Sequence, residues 1–405
     1  AGGKGALSFT RKFGFRLPAV IVGGALAASV AVGVASYLDA KKGIFRSADQ
    51  ELTTVLDSRK AMLERYLKSI EQDLATQSNN PLVLEALDAF ASAWRQLPGD
   101  PGKTLQKLYI TDNPNPTGKK EELDFAPDGS AYSQAHKTYH PYIRKFLRER
   151  GYYDIFVFDT EGNLVYSVFK ELDYATNLNK GKYRDSDLGN VFRAALKAAK
   201  PGSVSFFDFR PYAPSADAPA SFIATPLVDA AGTVKGVLAF QMPVDEMNGV
   251  MQDKAGLGET GQTYIVGRDN LMRSQGRFSK KPTILARRID TKQVNSALSG
   301  KSGVGDAVNE RGQLTRIAYK HTDFHGSRWA FIAERTQDEI SAPIVELRNN
   351  VLLVSVFAFI VIAAGGIFFA RSLARPMSRL SEAMQLLADG EKETEIPGTS
   401  RGDEI

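Results

Sequence analysis

Hydrophobic and polar positions along this 405-residue chain fall into three regimes. Two runs carry no charge at all, Leu17–Leu38 (LPAVIVGGALAASVAVGVASYL) and Val351–Ala370 (VLLVSVFAFIVIAAGGIFFA). Each has the ~20 residues with which a helix spans the ~30 Å hydrocarbon core of a bilayer, where a helix satisfies its own backbone. Two membrane spans are expected, with Asp39–Asn350 on one side and both termini on the other. The second regime is helical. From Asp39 to Ala75 there is no proline, and Leu56, Leu63, Leu67, Ile70 and Leu74 repeat at sevens, fours and threes. This is a coiled-coil-like seam that serves a dimer, the chain's own domain, or both. Pro81 opens a further helix to about Leu97, residues 111–130 are turn-rich, and a short helix is expected around Tyr139–Arg150.

In the third regime the period changes to two. Tyr153–Phe158 and Asn163–Phe169 alternate around Asp159-Thr160-Glu161-Gly162, as a hairpin does. A polar stretch with helical pieces covers Lys170–Lys200, and strands follow at Ser203–Phe209, Ser221–Val228 and Thr233–Pro243. The order then recurs. Thr263–Gly267 and Asn270–Ser274 form a second hairpin, helical material covers Pro282–Ser299, and strands follow at Gly303–Val308, Gln313–His321 and Arg328–Glu334. The repeat predicts two five-stranded antiparallel sheets with helices, an α+β architecture.

Charge sets the orientation. Lys4, Arg11, Lys12 and Arg16 precede the first run, and Arg371, Arg375 and Arg379 follow the second. Basic flanks mark the cytoplasmic side, although Lys41, Lys42, Arg46 and Arg348 lie on the opposite flanks. The expected location is the inner membrane, multi-pass, with a large periplasmic domain. A signal sequence is the alternative for the first run, which is longer than a usual signal core. The net charge of +5 arises partly at these flanks and favours anionic lipid. No basic run with interleaved aromatics marks a nucleic-acid partner. With no cysteine, thiol chemistry and disulfides are excluded.

The chain holds no Walker or dinucleotide loop and no Gly-x-Ser-x-Gly elbow, so no enzyme and no cofactor are expected. The four histidines form two i,i+4 pairs, His136/His140 and His321/His325. That spacing suits Zn²⁺ on a helix, but no third ligand is apparent, so the histidines are read as solvated and no metal is expected.

The arrangement resembles the double Cache sensor domains of bacterial transmembrane receptors, two PAS-like modules on a long N-terminal helix. The resemblance rests on YYDIFVFDTEGNLVYSVFKELDYATNL and GLGETGQTYIVGRDNLMRS. It divides the chain into a tail (1–16), a span (17–38), a long exterior helix (39–75), a membrane-distal module (76–250), a membrane-proximal module (251–336), a stalk (337–350), a second span (351–370) and a partial linker (371–405). That linker resembles the start of a HAMP domain. Leu373, Met377, Leu380, Met384 and Leu387 form a seam after Pro376, Gly390 ends the helix, and Ile396-Pro397-Gly398 and Asp403-Glu404-Ile405 match the connector and the next helix. Thr336-Gln337-Asp338-Glu339 is a capping box that starts a helix leading into the second run.

The resemblance implies a homodimeric chemoreceptor of the methyl-accepting type. It would bind a small molecule in the distal module and signal to cytoplasmic proteins through a C-terminal part beyond residue 405. A histidine kinase, cyclase or phosphatase output is one alternative, and an exterior protein-binding or assembly role is another. The implied pocket follows the distal hairpin. Tyr166, Lys170, Asp173, Tyr174 and Thr176 leave it, and Asp208, Arg210 and Tyr212 leave the third strand toward the same place. Lys170 or Arg210 suits a ligand carboxylate, and Asp208 or Asp173 an amine; internal salt bridges are the structural alternative. Amino-acid-binding members carry an Arg two places before a Trp-Tyr pair. The stretch YIRKFLRERGYYD lacks the Trp, which counts against such a ligand. Tyr264, Arg273, Ser274 and Tyr319 are the candidates for a second pocket. Trp329 is expected in the core and Trp94 against the long helix.

Overall fold

The computed structural model describes residues 3–369, 372, 375–391, 395 and 396. Asp49–Gln337 form one compact unit, and Ala1–Ala48 with Asp338–Ile405 form another.

The first helix, α1, is unbroken from Gly3 to Ser78, so the first apolar run and the long polar helix are one element. Its row Leu52, Leu56, Leu63, Leu67, Ile70 and Leu74 is no more than 1% exposed, covered by the chain's own sheets. These leucines are therefore not available to a partner chain, and the reading of them as a dimer seam is corrected. Arg59 sits in the same row and is buried. It donates to Asp253 Oδ2 at 2.7 Å and to the carbonyls of Asp253 and Ala255, which satisfies a charge inside an apolar contact.

Two further helices follow, α2 (Pro81–Gln96) and α3 (Pro101–Gln106), the latter continuing into a wider turn at Lys107–Thr111. Helix α4 covers Ala131–Arg150 and starts a full two turns before the expected Tyr139. Ser130 caps it by accepting from the Ser133 N–H at 3.1 Å, and Gly151, at φ +71°, ends it. The first sheet has order β2-β1-β5-β4-β3, all antiparallel, from β1 (Asp154–Asp159), β2 (Leu164–Ser167), β3 (Ser205–Tyr212), β4 (Ala218–Val228) and β5 (Val234–Gln241). Every residue of β1 and β2 is buried because both faces are covered. Ile155, Val157, Leu238 and Phe240 face α1, α2 and α4. Phe156, Phe158, Phe222 and Ala239 face α5 (Asp187–Ala198).

After α6 (Val244–Gln252) comes a sheet of order β6-β9-β8-β7, from β6 (Gln262–Val266), β7 (Gly303–Val308), β8 (Leu314–Phe324) and β9 (Ser327–Thr336). It has four strands and not five. Residues 270–274 do return along β6, through the Gly267 N–H to the Leu271 carbonyl and the Arg273 N–H to the Ile265 carbonyl, but Ser274 Oγ, not a ladder carbonyl, takes the Ile265 N–H, so the return is too irregular to count as a strand. On its other edge the backbone of Asn270–Met272 pairs with Leu285, Arg287 and Ile289. Of Pro282–Ser299 only α7, Lys292–Leu298, is helical; Thr283–Arg287 forms a turn, with Leu285 at φ +57°. Trp329 is fully buried, as expected, and Trp94 packs half-buried on the core that includes α1.

In the other unit, the apolar helices come close where a Cβ on Gly33 would lie 3.3 Å from Val351 Cγ1. Helix α8 (Gln337–Phe369) starts at the expected capping residues, and Thr336 shares a 2.9 Å hydroxyl contact with Thr260. Both α1 and α8 are long and apolar enough to cross a membrane. Helix α9 (Arg375–Ala388) exposes Met377, Leu380, Met384 and Leu387 and ends at Gly390, φ +99°. Leu373, Pro397, Gly398 and Asp403-Glu404-Ile405 lie outside the described residues.

Candidate ligand-binding site

The residues expected to share one pocket occupy three places. The first is a closed chamber between α4 and β2. Tyr132, His136 and His140 lie at i,i+4 on α4 and are fully buried, which corrects their reading as solvated. His140 Nε2–H donates to the Glu121 carbonyl at 2.6 Å and Nδ1 accepts from the Tyr166 hydroxyl at 2.6 Å. His136 Nδ1–H donates to the Asp124 carbonyl, and the two imidazoles stack at 4.2 Å. This bonding suits neutral rings, and burial holds both histidines well below the usual range.

Lys170, at φ +56°, turns its side chain into the same chamber. Its Nζ donates to the carbonyls of Val168 at 2.9 Å and Ser167 at 3.2 Å and lies 5.4 Å from the Tyr166 ring and 5.9 Å from those of Tyr109 and Tyr174. Burial pulls its ammonium down to about 7, against the pull of Asp154. The Tyr174 and Tyr132 hydroxyls share a 2.9 Å contact, and Tyr132 donates to the Val165 carbonyl. Tyr166, Lys170 and Tyr174 thus bond to their neighbours and brace the segment after β2.

The second place lies on the opposite side of that segment. Tyr212, at the end of β3, donates to Asp173 Oδ2 at 2.5 Å. Asp173 is fully buried, its Oδ1 has no partner, and burial pushes its carboxyl up to about 7. Thr176 Oγ1 bonds back to the Asp173 carbonyl and pins the turn. Beside Tyr212 opens a recess of about 240 Å³ walled by Tyr183, Tyr212 and Phe222 and rimmed by Lys182, Asp187 and Arg210. Arg210 is 74% exposed, and its Nε stands 3.6 Å from Asp187 Oδ2, whose side chain is 7% exposed. Asp187 is held because Ser186 caps α5, accepting from the Gly189 N–H. This recess brings together cationic, anionic and aromatic groups in the volume of a small metabolite.

The third place is a charged link between the sheets. Asp208 turns away from the recess: its Oδ2 is 2.9 Å from Arg273 Nη2 and its Oδ1 accepts from Trp329 Nε1 at 3.0 Å. Arg273 also pairs with Asp269. Asp208 and Arg210 do line one pocket of about 410 Å³, with Asp187 and Arg273, but it is not the recess that Tyr212 walls. The second candidate set is divided as well. Tyr264 is buried and donates to Glu334, with Tyr319 in the same apolar cluster, whereas Arg273 lies in the link. Sequence reasoning missed Lys182, Tyr183 and Asp187 because they sit in a polar stretch with no period. It found the His136/His140 pair but read it as solvated, because the helix was expected to begin only at Tyr139; Tyr132-x₃-His136-x₃-His140 was the available signal of a buried face.

A buried-sheet sensor domain with a charged recess defines the class. A Cache domain model matches residues 40–344 and a HAMP domain model matches residues 368–405. The chain belongs to the Cache domain family, joined to a HAMP segment, as a sensor like chemoreceptor ligand-binding domains. Among solved structures it is similar to the periplasmic sensory domain of the Campylobacter jejuni chemoreceptor Tlp1, with 13% identity, 74% of this chain and 99% of that one covered, and a TM-score of 0.43. It is also similar to the ligand-binding domain of the Pseudomonas aeruginosa amino-acid chemoreceptor PctC in complex with GABA, at 12%, 67%, 99% and 0.34 in the same order. A third is the domain of a sensory box/GGDEF family protein from Vibrio parahaemolyticus, at 10%, 74%, 99% and 0.42. No curated protein sequence matches the chain.

Proposed function

We propose that this chain is the sensory half of a homodimeric inner-membrane chemoreceptor of the methyl-accepting type. Two tandem Cache modules face the periplasm between two membrane spans. The apolar lengths of α1 and α8 support the spans. The basic flanks support the orientation, and the likeness of ADGEKETEIPGTSRGDEI to chemoreceptor linkers supports the output.

The ligand is a small zwitterion held in the recess beside Tyr212. The observation that carries this reading is the Arg210–Asp187 pair at 3.6 Å in an aromatic-walled recess. A carboxylate takes the Arg210 fork, a cationic group takes Asp187, and the ligand replaces the pair. The missing Trp noted above directs the search to betaines and ω-amino acids as well as α-amino acids. Binding drives a signal only through a difference in affinity between receptor states, ~1–3 kcal/mol in typical couplings.

The test is a thermal-shift screen of zwitterions on the full chain in nanodiscs, where a ligand at 100 Kd adds ~2.7 kcal/mol. A hit abolished by Arg210→Ala is expected. No hit across zwitterions, or hits indifferent to Arg210→Ala and Asp187→Asn, would overturn the assignment.

A further inference from the structure

A larger cavity, separate from the recess, lies between the end of the first sheet and the turn before α7. Its volume is about 840 Å³, within the range of small-molecule sites. One wall comes from the end of the first sheet, where Tyr153 and Phe169 stack at 5.7 Å with 21° between their planes. The facing wall comes from the turn before α7, through Ile284 and Leu285. Pro219, Met242 and Pro243 add apolar surface.

The charged residues that line it are all acidic: Asp217 at the β3–β4 turn and Asp245 and Glu246 in the first turn of α6. All three are exposed, and the lining contains no Lys or Arg. A second observation is independent of this charge. Gln241, the last residue of β5, lines the cavity and is 2% exposed, yet its Oε1 has no hydrogen-bond partner. A buried amide left unpaired costs ~1–3 kcal/mol, so its persistence beside a cavity marks a place for a polar partner.

We propose that this cavity binds a small organic cation, a primary amine on an aromatic or alkyl body. The ammonium is held by Asp217, Asp245 and Glu246, the body lies between the Tyr153–Phe169 pair and the Ile284–Leu285 wall, and the Gln241 amide meets a polar atom of the ligand. A cation against an aromatic face adds to the fit. Because the walls come from the first sheet and from the turn before α7, such a ligand ties that turn to the sheet. The assignment does not depend on what the Tyr212 recess binds.

The test is calorimetric titration of 2-phenylethylamine into the full chain in phosphatidylcholine nanodiscs, with empty nanodiscs as blank. Phenylacetate serves as a probe of the same body and opposite charge. The amine binds and phenylacetate does not. The triple variant Asp217→Asn, Asp245→Asn, Glu246→Gln, all at exposed positions, weakens binding by at least about tenfold, and raised salt does likewise. Ala286→Trp, which fills the exposed mouth, abolishes it, and Arg210→Ala leaves it unchanged. No heat above the blank, equal binding of phenylacetate, or an amine signal that survives the triple variant overturns the proposal. Loss of the signal in Arg210→Ala assigns the amine to the recess and overturns it too. If Ala286→Trp does not fold, the triple variant and phenylacetate still decide.

Discussion

Replacing Lys170 by Met tests whether the chamber under α4 tolerates a charge. In the folded chain the ammonium is fully buried and its pKa falls to about 7 from an ordinary 10.5. Between those values the unfolded chain holds a proton that the folded chain has released. Stability therefore rises with pH through this window, at up to about 1.4 kcal/mol per unit. From pH 7 to pH 9 the site contributes about 2 kcal/mol once partial protonation at pH 7 is included. Met has similar length, meets the same left-handed backbone requirement at φ +56° and does not titrate. It also forfeits the hydrogen bonds to the carbonyls of Ser167 and Val168, about 1 kcal/mol each. The advantage of Lys170→Met over wild type is thus greatest at or below neutral pH and shrinks by about 2 kcal/mol between pH 7 and 9. Pulse proteolysis of both chains in nanodiscs across urea gives the difference directly, and titrations elsewhere cancel in it. Parallel stability curves over pH 7–9 would refute the reasoning, because Lys170 would then titrate alike in both states.

Asp173 carries the opposite sign. Its carboxyl sits at about 7 when folded against an ordinary 3.8, so the folded chain holds the extra proton and stability falls as pH rises through that interval. Asp173→Asn gains on wild type by up to roughly 4 kcal/mol from pH 4 to pH 7, read by the same proteolysis series. Gly236→Ala destabilises by roughly 1–3 kcal/mol, since the new Cβ would sit 2.1 Å from the Phe158 carbonyl and 2.8 Å from Leu87; a lowered melting temperature checks it. Leu67→Ala costs roughly 2–5 kcal/mol of folding stability while leaving the monomer–dimer ratio in crosslinking unchanged, because Leu67 is covered within its own chain.

Strands were the most legible part of the sequence. Their Gly-containing turns and β-branched or aromatic runs are local, and all nine strands among the described residues overlap segments anticipated from them. The hairpin return after β6 was legible too, but the pairing of its other edge was not. Asn270–Met272 found backbone partners at Leu285–Ile289, a pairing no window of adjacent residues reveals. The leucine row of α1 was legible as apolar but not as to what covers it, since a heptad pattern looks the same against a partner helix and against a sheet. At the site, Tyr212 and Arg210 were found from strand position, but the side to which each residue turns depends on a bulge between Phe207 and Arg210 that the sequence does not announce. Asp208 lies within that bulge, which accounts for its misplacement.

The polar edge of α1 has a consequence for biosynthesis. Asp49, Asp57, Glu64 and Glu71 meet Arg316, Lys320, Thr322 and His325 along β8, the first of these pairs 267 residues apart in the chain. The leucine row beside them also needs sheets made later. A ribosome adding ~5–20 residues per second delivers β8 roughly 13–50 seconds after the acidic row has emerged. Until the first sheet is made the leucine row is complete and uncovered, and its polar edge waits longer, for β8. An extracytoplasmic holding factor, or retention near the translocation channel, is the natural requirement of a chain whose first element is the last to be enclosed.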